Sequence, residues 1–299
     1  MKLVAIVPSF RVPFLVLAPI CVFLGASITY SNQGSIDYFS LAIAMLGAIF
    51  AHIAVNTLNE YQDYQSGLDL KTIRTPFSGG SGLLCQQPEL LPLVKLAAMV
   101  TTLLTLLIGV YFIALHGLAV IALVPMGLLG VTIMLTYTTW INKRPFICLV
   151  APGLCFGLLM VAGTQLILSG QQYLSTWGIG LIPFFLINNL LLLNQYPDID
   201  ADKSIGRKTF PIAFGIKASN LVFTVFTLCS TALIGFFISQ NILPTLSVIA
   251  FIPQSLAFVA LYGAVKFGAN IGQHHKYLAG NVACAVLTPL SIAITVLVD

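Results

Sequence analysis

Charge is what this sequence has least of. Asp, Glu, Lys and Arg make up 7% of its 299 residues, where a soluble domain carries roughly 25%. That deficit excludes a water-facing surface of ordinary extent. With 58% hydrophobic residues, the chain reads as one bundle in a lipid bilayer rather than the two soluble domains its length would allow. The six cysteines (Cys21, Cys85, Cys148, Cys155, Cys229 and Cys284) form no CxxC pair and no metal-ligand spacing, which leaves them as small apolar side chains. Period-two alternation is absent as well. The spans are therefore helices, because an open sheet would leave unpaired amides in lipid. The first apolar run is too long, and too well embedded in a larger pattern, to be a cleaved signal peptide.

What is present is a series of segments free of Asp, Glu, Lys and Arg, each near the ~20 residues that cross ~30 Å of hydrocarbon. They cover residues 14–30, 39–58, 96–115, 118–137, 147–168, 174–193, 221–238, 242–265 and 278–298, which predicts nine transmembrane helices and an all-α fold. The connections alternate in charge. Lys2 and Arg11 precede the first span; Lys71, Arg74 and Lys95 follow the second; Lys143 and Arg144 follow the fourth. Lys203, Arg207, Lys208 and Lys217 follow the sixth, and Lys266 and Lys276 the eighth. All 13 basic residues thus fall on one side, which the positive-inside rule makes cytoplasmic, with the N-terminus there and the C-terminus outside. The net charge of +4 is then topology, and nucleic acid is not an expected partner. The long polar loops after spans two and six lie on the same side, where function is expected.

Two segments there carry the chemistry: NTLNEYQDYQSGLDLKTIRTPFSGGSG from Asn56 and LLLNQYPDIDADKSIGRKTFPIAFG from Leu191. LNEYQD at 58–63 is echoed by LNQYPD at 193–198, and Asp69 precedes Arg74 as Asp202 precedes Arg207. Four spans separate the copies, so both run in the same direction, as parallel repeats would. His52, Asn56, Asn59 and Asp63 form one helical stripe, and Asn188, Gln195, Asp198 and Asp202 share a broad face. Polar residues in a membrane helix face the bundle interior. Asp69 lies off the Asp63 face of a continuous helix, so Ser66-Gly67 is expected to end that helix and turn Asp69 back.

Six of the nine acids sit in these segments: Glu60, Asp63, Asp69, Asp198, Asp200 and Asp202. Carboxylates gathered this densely repel unless cations neutralise them. Hard oxygen ligands beside basic residues suit Mg²⁺ bridging carboxylates to phosphate oxygens. Lys71, Arg74, Lys203, Arg207 and Lys208 are positioned to hold the outer phosphate oxygens. The combination implies a diphosphate whose apolar remainder lies between helices. The competing reading is solvated loop charge with capping asparagines.

These segments resemble the paired aspartate-rich motifs of the UbiA superfamily of intramembrane prenyltransferases. Asn59, Asp63 and Asp69 match its first motif, and Asp198 and Asp202 its second, DxxxD; Glu60 stands where the family commonly has aspartate. The resemblance implies a single transmembrane prenyltransferase domain over residues 1–299, in the cell inner membrane, with its active site facing the cytoplasm. It implies Mg²⁺ held by Asn59, Asp63, Asp69, Asp198 and Asp202, the four aspartates being catalytic, and Asn56, Asn59 and Asn194 joining the basic residues at the substrates. Those substrates are a polyprenyl diphosphate donor and a lipophilic aromatic acceptor. Five residues separate Asp63 from Asp69, a spacing that resembles the branch prenylating dihydroxynaphthoate toward menaquinone. Hydroxybenzoate, haem, chlorophyllide and glycerol phosphate acceptors remain open, as does a transporter with parallel repeats, although that class places ionisable groups near the midplane.

Weaker candidates are His274-His275 as a surface pair, His52 as a bundle hydrogen bond or acceptor contact, and the loop at 78–82 as a flap over phosphates. Tyr137, Asn142, Lys143 and Arg144 form the third basic loop. Pro197 is expected to kink span six.

Overall fold

A backbone in hydrocarbon satisfies its amides only within a helix or a closed barrel, and every apolar run of this chain lies in helix. The computed structural model describes residues 2–299; among them there is no strand. The principal helices are α1 (Leu17–Gln33), α2 (Tyr38–Gln65), α3 (Leu91–His116), α4 (Leu123–Thr136), α5 (Pro145–Ser169), α6 (Leu174–Asn194), α7 (Phe210–Ser239), α8 (Thr245–Gln273, in 3₁₀ and α pieces) and α9 (His275–Val298). Seven of the described helices are long and apolar enough to cross a membrane; an eighth span results if the helical pieces at Val7–Phe14, bent by 50° from α1, are counted with it. The shorter α4 falls below that length.

Local chemistry sets the irregularities. Asp37 caps α2, accepting from the Phe39 and Ser40 amides at 3.2 and 3.0 Å. In α5, Pro152 has no amide hydrogen to donate, and the helix widens into a π stretch over Leu154–Met160. The neighbouring Gly153 amide donates to Asn188 Oδ1 at 2.6 Å, so Asn188 serves α5 rather than the acid face expected from its spacing. A side chain at Gly153 or Gly157 would collide with Phe184 or Asn188, and these glycines let α6 lie directly against α5. The expected kink at Pro197 is instead a stop: α6 ends at Asn194, because proline drives the residue before it away from helical geometry.

The bundle has an uneven core. α6 is central, packing on α7, α9, α1 and α5, with Ile182, Leu186, Ile187, Leu190 and Leu193 in the largest apolar cluster. Buried polar groups tie the same helices together. Asn189 Nδ2 donates to the Phe223 carbonyl and to Thr227 Oγ1, both at 3.0 Å. Asn281 Nδ2 reaches the Asn189 carbonyl at 3.1 Å, and Gln254 Nε2 reaches Ser230 Oγ at 2.7 Å. Lipid tails are as apolar as leucine, so packing and such bonds, worth about 0.6 kcal/mol each on average, hold membrane helices together. On the other side α2 and α3 pair along their length, and α4 buries only Met126 and Met134. Between the two sides lies a cavity.

Candidate active site

The cavity has a volume of about 620 Å³ and runs from Ala44, deep on α2, to the acids at the end of that helix. From Ala44 to Asp63 is about 28 Å at about 1.5 Å rise per residue. His52, Asn56, Asn59 and Asp63 all line it, as their helical spacing predicts. α2 stops at Gln65; Gly67 takes a positive φ of 75°, and the Leu68 amide returns to the Asp63 carbonyl at 3.0 Å. That reversal buries Asp69 on the same wall. The second segment supplies Asn194 and Gln195 from the end of α6, Asp198 just before a short helix (Ile199–Ser204), and Asp202 within that helix.

One guanidinium joins the two segments. Arg207 Nη1 donates to Asp202 Oδ1 at 2.8 Å, while Nη2 donates to Asp63 Oδ1. All three side chains are at most 10% exposed. Burial raises the Asp202 pKa, partly offset by the charge and hydrogen bond of Arg207, and the two carboxylates raise that of Arg207 against its own burial.

Asp69 and Asp198 have no such partner. Asp69 is pushed up to about 7 by burial and by the carboxylates of Glu60 and Asp63. Asp198 is also raised to about 7, by burial and by Asp202, against partial relief from the Ser78 hydroxyl and the charges of Arg11 and Arg207. Asp69 Oδ2, Asp198 Oδ1, Asn194 Oδ1 and Gln195 Oε1 are buried without a hydrogen-bond partner. Unsatisfied buried acceptors carry a penalty of about 1–3 kcal/mol each, more when charged, so these four oxygens want a donor or a cation.

Arg11, which the sequence offered only as topogenic charge, is part of the wall. It sits at φ 52°, ψ 52°, a left-handed conformation rare for a residue other than glycine. Its Nη2 donates to Asn59 Oδ1 at 2.9 Å and lies 3.8 Å from Glu60 Oε2. Asn56 Nδ2 holds the preceding Phe10 carbonyl at 2.8 Å, and Asn59 Nδ2 donates to Thr138 Oγ1 at 3.0 Å. An arginine flanked by apolar residues before the first span was the available signal.

Glu60, fully buried, does not face the cavity. The Ser81 amide donates to its Oε2 at 3.0 Å and the Ser81 hydroxyl to its Oε1, docking the loop at 78–82 on the acid segment. Gly79, Gly80 and Gly82 all take positive φ there, and a Cβ at Gly80 would stand 3.1 Å from Asp69 Oδ1. The loop expected to flap over phosphates is anchored by the carboxylate of Glu60.

Of the candidate residues, Asp63, Asp69, Asp198, Asp202, Asn56, Asn59, Asn194 and Arg207 line the cavity. Lys71, Arg74, Lys203 and Lys208 are exposed outside its wall: Arg74 donates to the Asp69 backbone carbonyl at 3.2 Å, and the Lys208 amide to that of Asn142 at 2.8 Å. Tyr137 and Asn142 are on the wall, whereas Lys143 is exposed and Arg144 lies 3.4 Å over the Trp140 ring. Asp200 is exposed, and His274 stacks on Phe267 at 3.5 Å.

Among the described residues no three His, Cys, Asp or Glu side chains converge tightly enough to cage a metal by themselves. That suits Mg²⁺, which dehydrates reluctantly and is held by one or two carboxylates plus phosphate oxygens rather than by an all-protein cage. The orphaned Asp69 and Asp198 oxygens fit that partial donor set.

A model of the UbiA prenyltransferase family matches residues 17–270. The chain belongs to the UbiA prenyltransferase family. A curated relative, the 1,4-dihydroxy-2-naphthoate octaprenyltransferase of Bacillus subtilis (strain 168), is 31% identical over 217 residues, which is 70% of this chain and 66% of that protein. Among solved structures, an apo UbiA homolog from Aeropyrum pernix K1 superposes with a TM-score of 0.70 at 15% identity, over 94% of this chain and 97% of the other. A UbiA homolog from Archaeoglobus fulgidus bound to DMAPP and Mg²⁺ gives 0.64 at 14% identity, over 95% and 98%. At these identities the structures establish a shared UbiA fold. None of these comparisons supports the transporter reading.

Proposed function

We propose that this chain transfers a prenyl group from a polyprenyl diphosphate to a lipophilic aromatic acceptor, with dihydroxynaphthoate, on the route to menaquinone, as that acceptor. The observation that carries the reading is the pairing of bare carboxylates with wall-lining arginines at the polar end of an apolar cavity. Asp69 and Asp198 are poised to accept a cation, and Arg11 and Arg207 stand beside them to meet phosphate oxygens. The relative acting on dihydroxynaphthoate and the five-residue spacing of Asp63 and Asp69 support the acceptor.

Asp69 and Asp198 would hold Mg²⁺ first, and Asp63, Asp202 and Asn59 would join them once Arg207 and Arg11, which they bind in this structure, turn to the diphosphate. Bound Mg²⁺ supplies positive charge where the departing diphosphate becomes negative. Arg207 and Arg11 add hydrogen-bonded charge to the same oxygens, while Asn56 keeps the Arg11 segment in place through the Phe10 carbonyl. In our proposal the exposed Lys71, Arg74, Lys203 and Lys208 draw the anionic headgroup toward the mouth from outside. The bond between the allylic carbon and the diphosphate oxygen breaks, and that carbon bonds to the acceptor ring in place of the carboxyl group, which leaves as carbon dioxide. The apolar wall between Asn59 and Ala44 excludes water that would capture the electrophile.

This reading places nine spans in the cell inner membrane, a single domain over residues 1–299, the N-terminus and the acids in the cytoplasm and the C-terminus outside. The test is reconstituted protein given octaprenyl diphosphate and Mg²⁺ with a panel of acceptors. Demethylmenaquinol and carbon dioxide from dihydroxynaphthoate are expected. Turnover of hydroxybenzoate alone would move the acceptor, and turnover of none would overturn the reading.

A further inference from the structure

The echo of LNEYQD in LNQYPD sets Gln195 at the place of Glu60, and the structure gives the two side chains different work. α2 continues to Gln65, so Glu60 is fixed within regular helix, off the stripe of Asn59 and Asp63, and both its oxygens are taken by Ser81. α6 stops at Asn194. Gln195, one position beyond, escapes that geometry and lines the cavity beside Asn194 and Asp198. Its Nε2 donates to Cys148 Sγ at 3.5 Å, and sulfur is a weak acceptor. The thiol is itself turned to Asn142 Oδ1, at 3.3 Å. The Gln195 Oε1 has no partner. A buried amide oxygen in that condition calls for a donor, and nothing in its own segment plays the part that Ser81 plays for Glu60.

We infer that Gln195 accepts a hydrogen bond from a ring hydroxyl of the acceptor, and so selects a dihydroxy over a monohydroxy naphthoate. The inference rests on the dihydroxynaphthoate reading. That acceptor carries two hydroxyls. The one beside the carboxylate is hydrogen-bonded within the molecule; the other, across the ring, is a free donor that leaves water on entering the bundle and needs an acceptor there. The Gln195 carboxamide is neutral, so an anionic naphthoate meets it without the repulsion an aspartate would exert. Its level in the bundle also fits. Gln195 stands three residues before Asp198, beside the place where the allylic carbon separates from diphosphate. His52, another wall residue with an unpartnered nitrogen, precedes Asp63 by eleven residues. It therefore lies about 16 Å deeper along α2, beside the donor's tail rather than the reacting carbon. A bond from Gln195 fixes the ring at the end where substitution occurs.

The test uses the full chain in liposomes with dihydroxynaphthoate and with 1-hydroxy-2-naphthoate, which lacks the free hydroxyl. Without donor, Kd is read from each naphthoate's own fluorescence; with octaprenyl diphosphate and Mg²⁺, kcat/KM is read beside it. The unsubstituted protein should favour dihydroxynaphthoate about tenfold, the scale of one hydrogen bond whose loss leaves its partner unsatisfied. Gln195→Met, close in shape but without the amide oxygen, should lose that factor for dihydroxynaphthoate. It should keep 1-hydroxy-2-naphthoate within about twofold and leave KM for the donor unchanged. Equal loss for both naphthoates, as a purely structural bridge to α5 through Cys148 would give, overturns the inference, and so does no loss for either. The comparison of the two naphthoates on the unsubstituted protein needs no variant to fold, and equal affinity there sinks this inference alone. If that protein bound and converted neither naphthoate but prenylated another acceptor, the dihydroxynaphthoate reading would fail and this inference with it.

Discussion

In the first acid segment the helix runs unbroken through Asp63 and the chain then doubles back to bring in Asp69; in the second the helix stops at Asn194, and a separate short helix begins just after Asp198 and carries Asp202. Near-copies in sequence thus deliver their acids by different backbone routes. The pairing that results crosses between segments. Asp63 and Asp202 share Arg207, while Asp69 and Asp198, one from each segment, remain without a cation and are pushed up to about 7. One guanidinium neutralises half of the cluster and holds the two halves of the mouth together. The other half is left for a ligand.

The largest expected effect treats the four acids alike. Asp63→Asn, Asp69→Asn, Asp198→Asn and Asp202→Asn should each lower prenyl transfer by ~10²–10³, the scale of removing one oriented charge contact from a catalytic site. Initial rates in membranes, normalised to protein level, check this; a variant within a few-fold of the parent would strike that acid from the site.

Stability in the metal-free state separates the pairs. Arg207→Gln leaves two buried carboxylates uncompensated and should destabilise by about 3–5 kcal/mol, with Asp202→Asn restoring part of the loss. Asp69→Asn and Asp198→Asn should instead raise the melting temperature, since each removes a carboxylate that has no partner. Thermal unfolding in detergent with EDTA makes the comparison, and equal destabilisation by all of these changes would erase the distinction.

pH offers a smaller and graded probe of the bare pair. Their folded pKa of about 7 exceeds the unfolded value of about 3.9, so the folded protein binds these protons more tightly. Metal-free stability from this source is fully present below about pH 4 and is lost as pH rises through about 7. Mg²⁺ binding runs the other way, weakening as pH falls below about 7 because protons occupy its ligands. Titration calorimetry across pH 5.5 to 8.5, on the scale set by those two values, should show that slope, and Asp69→Asn should flatten it.

The smallest effect touches only the first segment. Gly80→Ala forces a side chain onto a φ of 71° and to 3.1 Å from Asp69 Oδ1, with a penalty of about 1–2 kcal/mol. It should loosen the loop at 78–82, seen as faster amide exchange there with the second segment unchanged.

The all-helical fold with its long apolar helices, the acid stripe and the turn at Gly67 were legible because each follows from local chemistry: apolar length, the 3.6-residue period and the positive φ that glycine tolerates; of the nine expected spans, seven or eight are long and apolar enough to cross a membrane. The reach of Arg207 to Asp63 was not, since it joins positions 144 apart and depends on how α2 and α6 come together. Asn188 shows the same limit. Its spacing fits the acid face, but Pro152 leaves α5 irregular beside it and the Gly153 amide takes its oxygen. Basic side chains misled in both directions, Arg11 entering the wall while Lys71, Lys203 and Lys208 stay outside, because a charge count fixes the side of the membrane and not the distance to a cavity.

The segment before α1 has a practical consequence for anyone handling this protein. Ile6 is buried against Leu83, Leu84, Leu90 and Val94, Phe10 is clasped by Asn56 and Arg11 by Asn59. Trimming the chain to the first long helix, a routine step in shortening a membrane protein for crystallisation, would remove part of the cavity wall, Arg11 and Phe14 included. Fusion partners and cuts belong at the Asp299 end: α9 starts with His275 beside Phe77 of the first acid segment, and its 24 residues carry the chain about 36 Å from there.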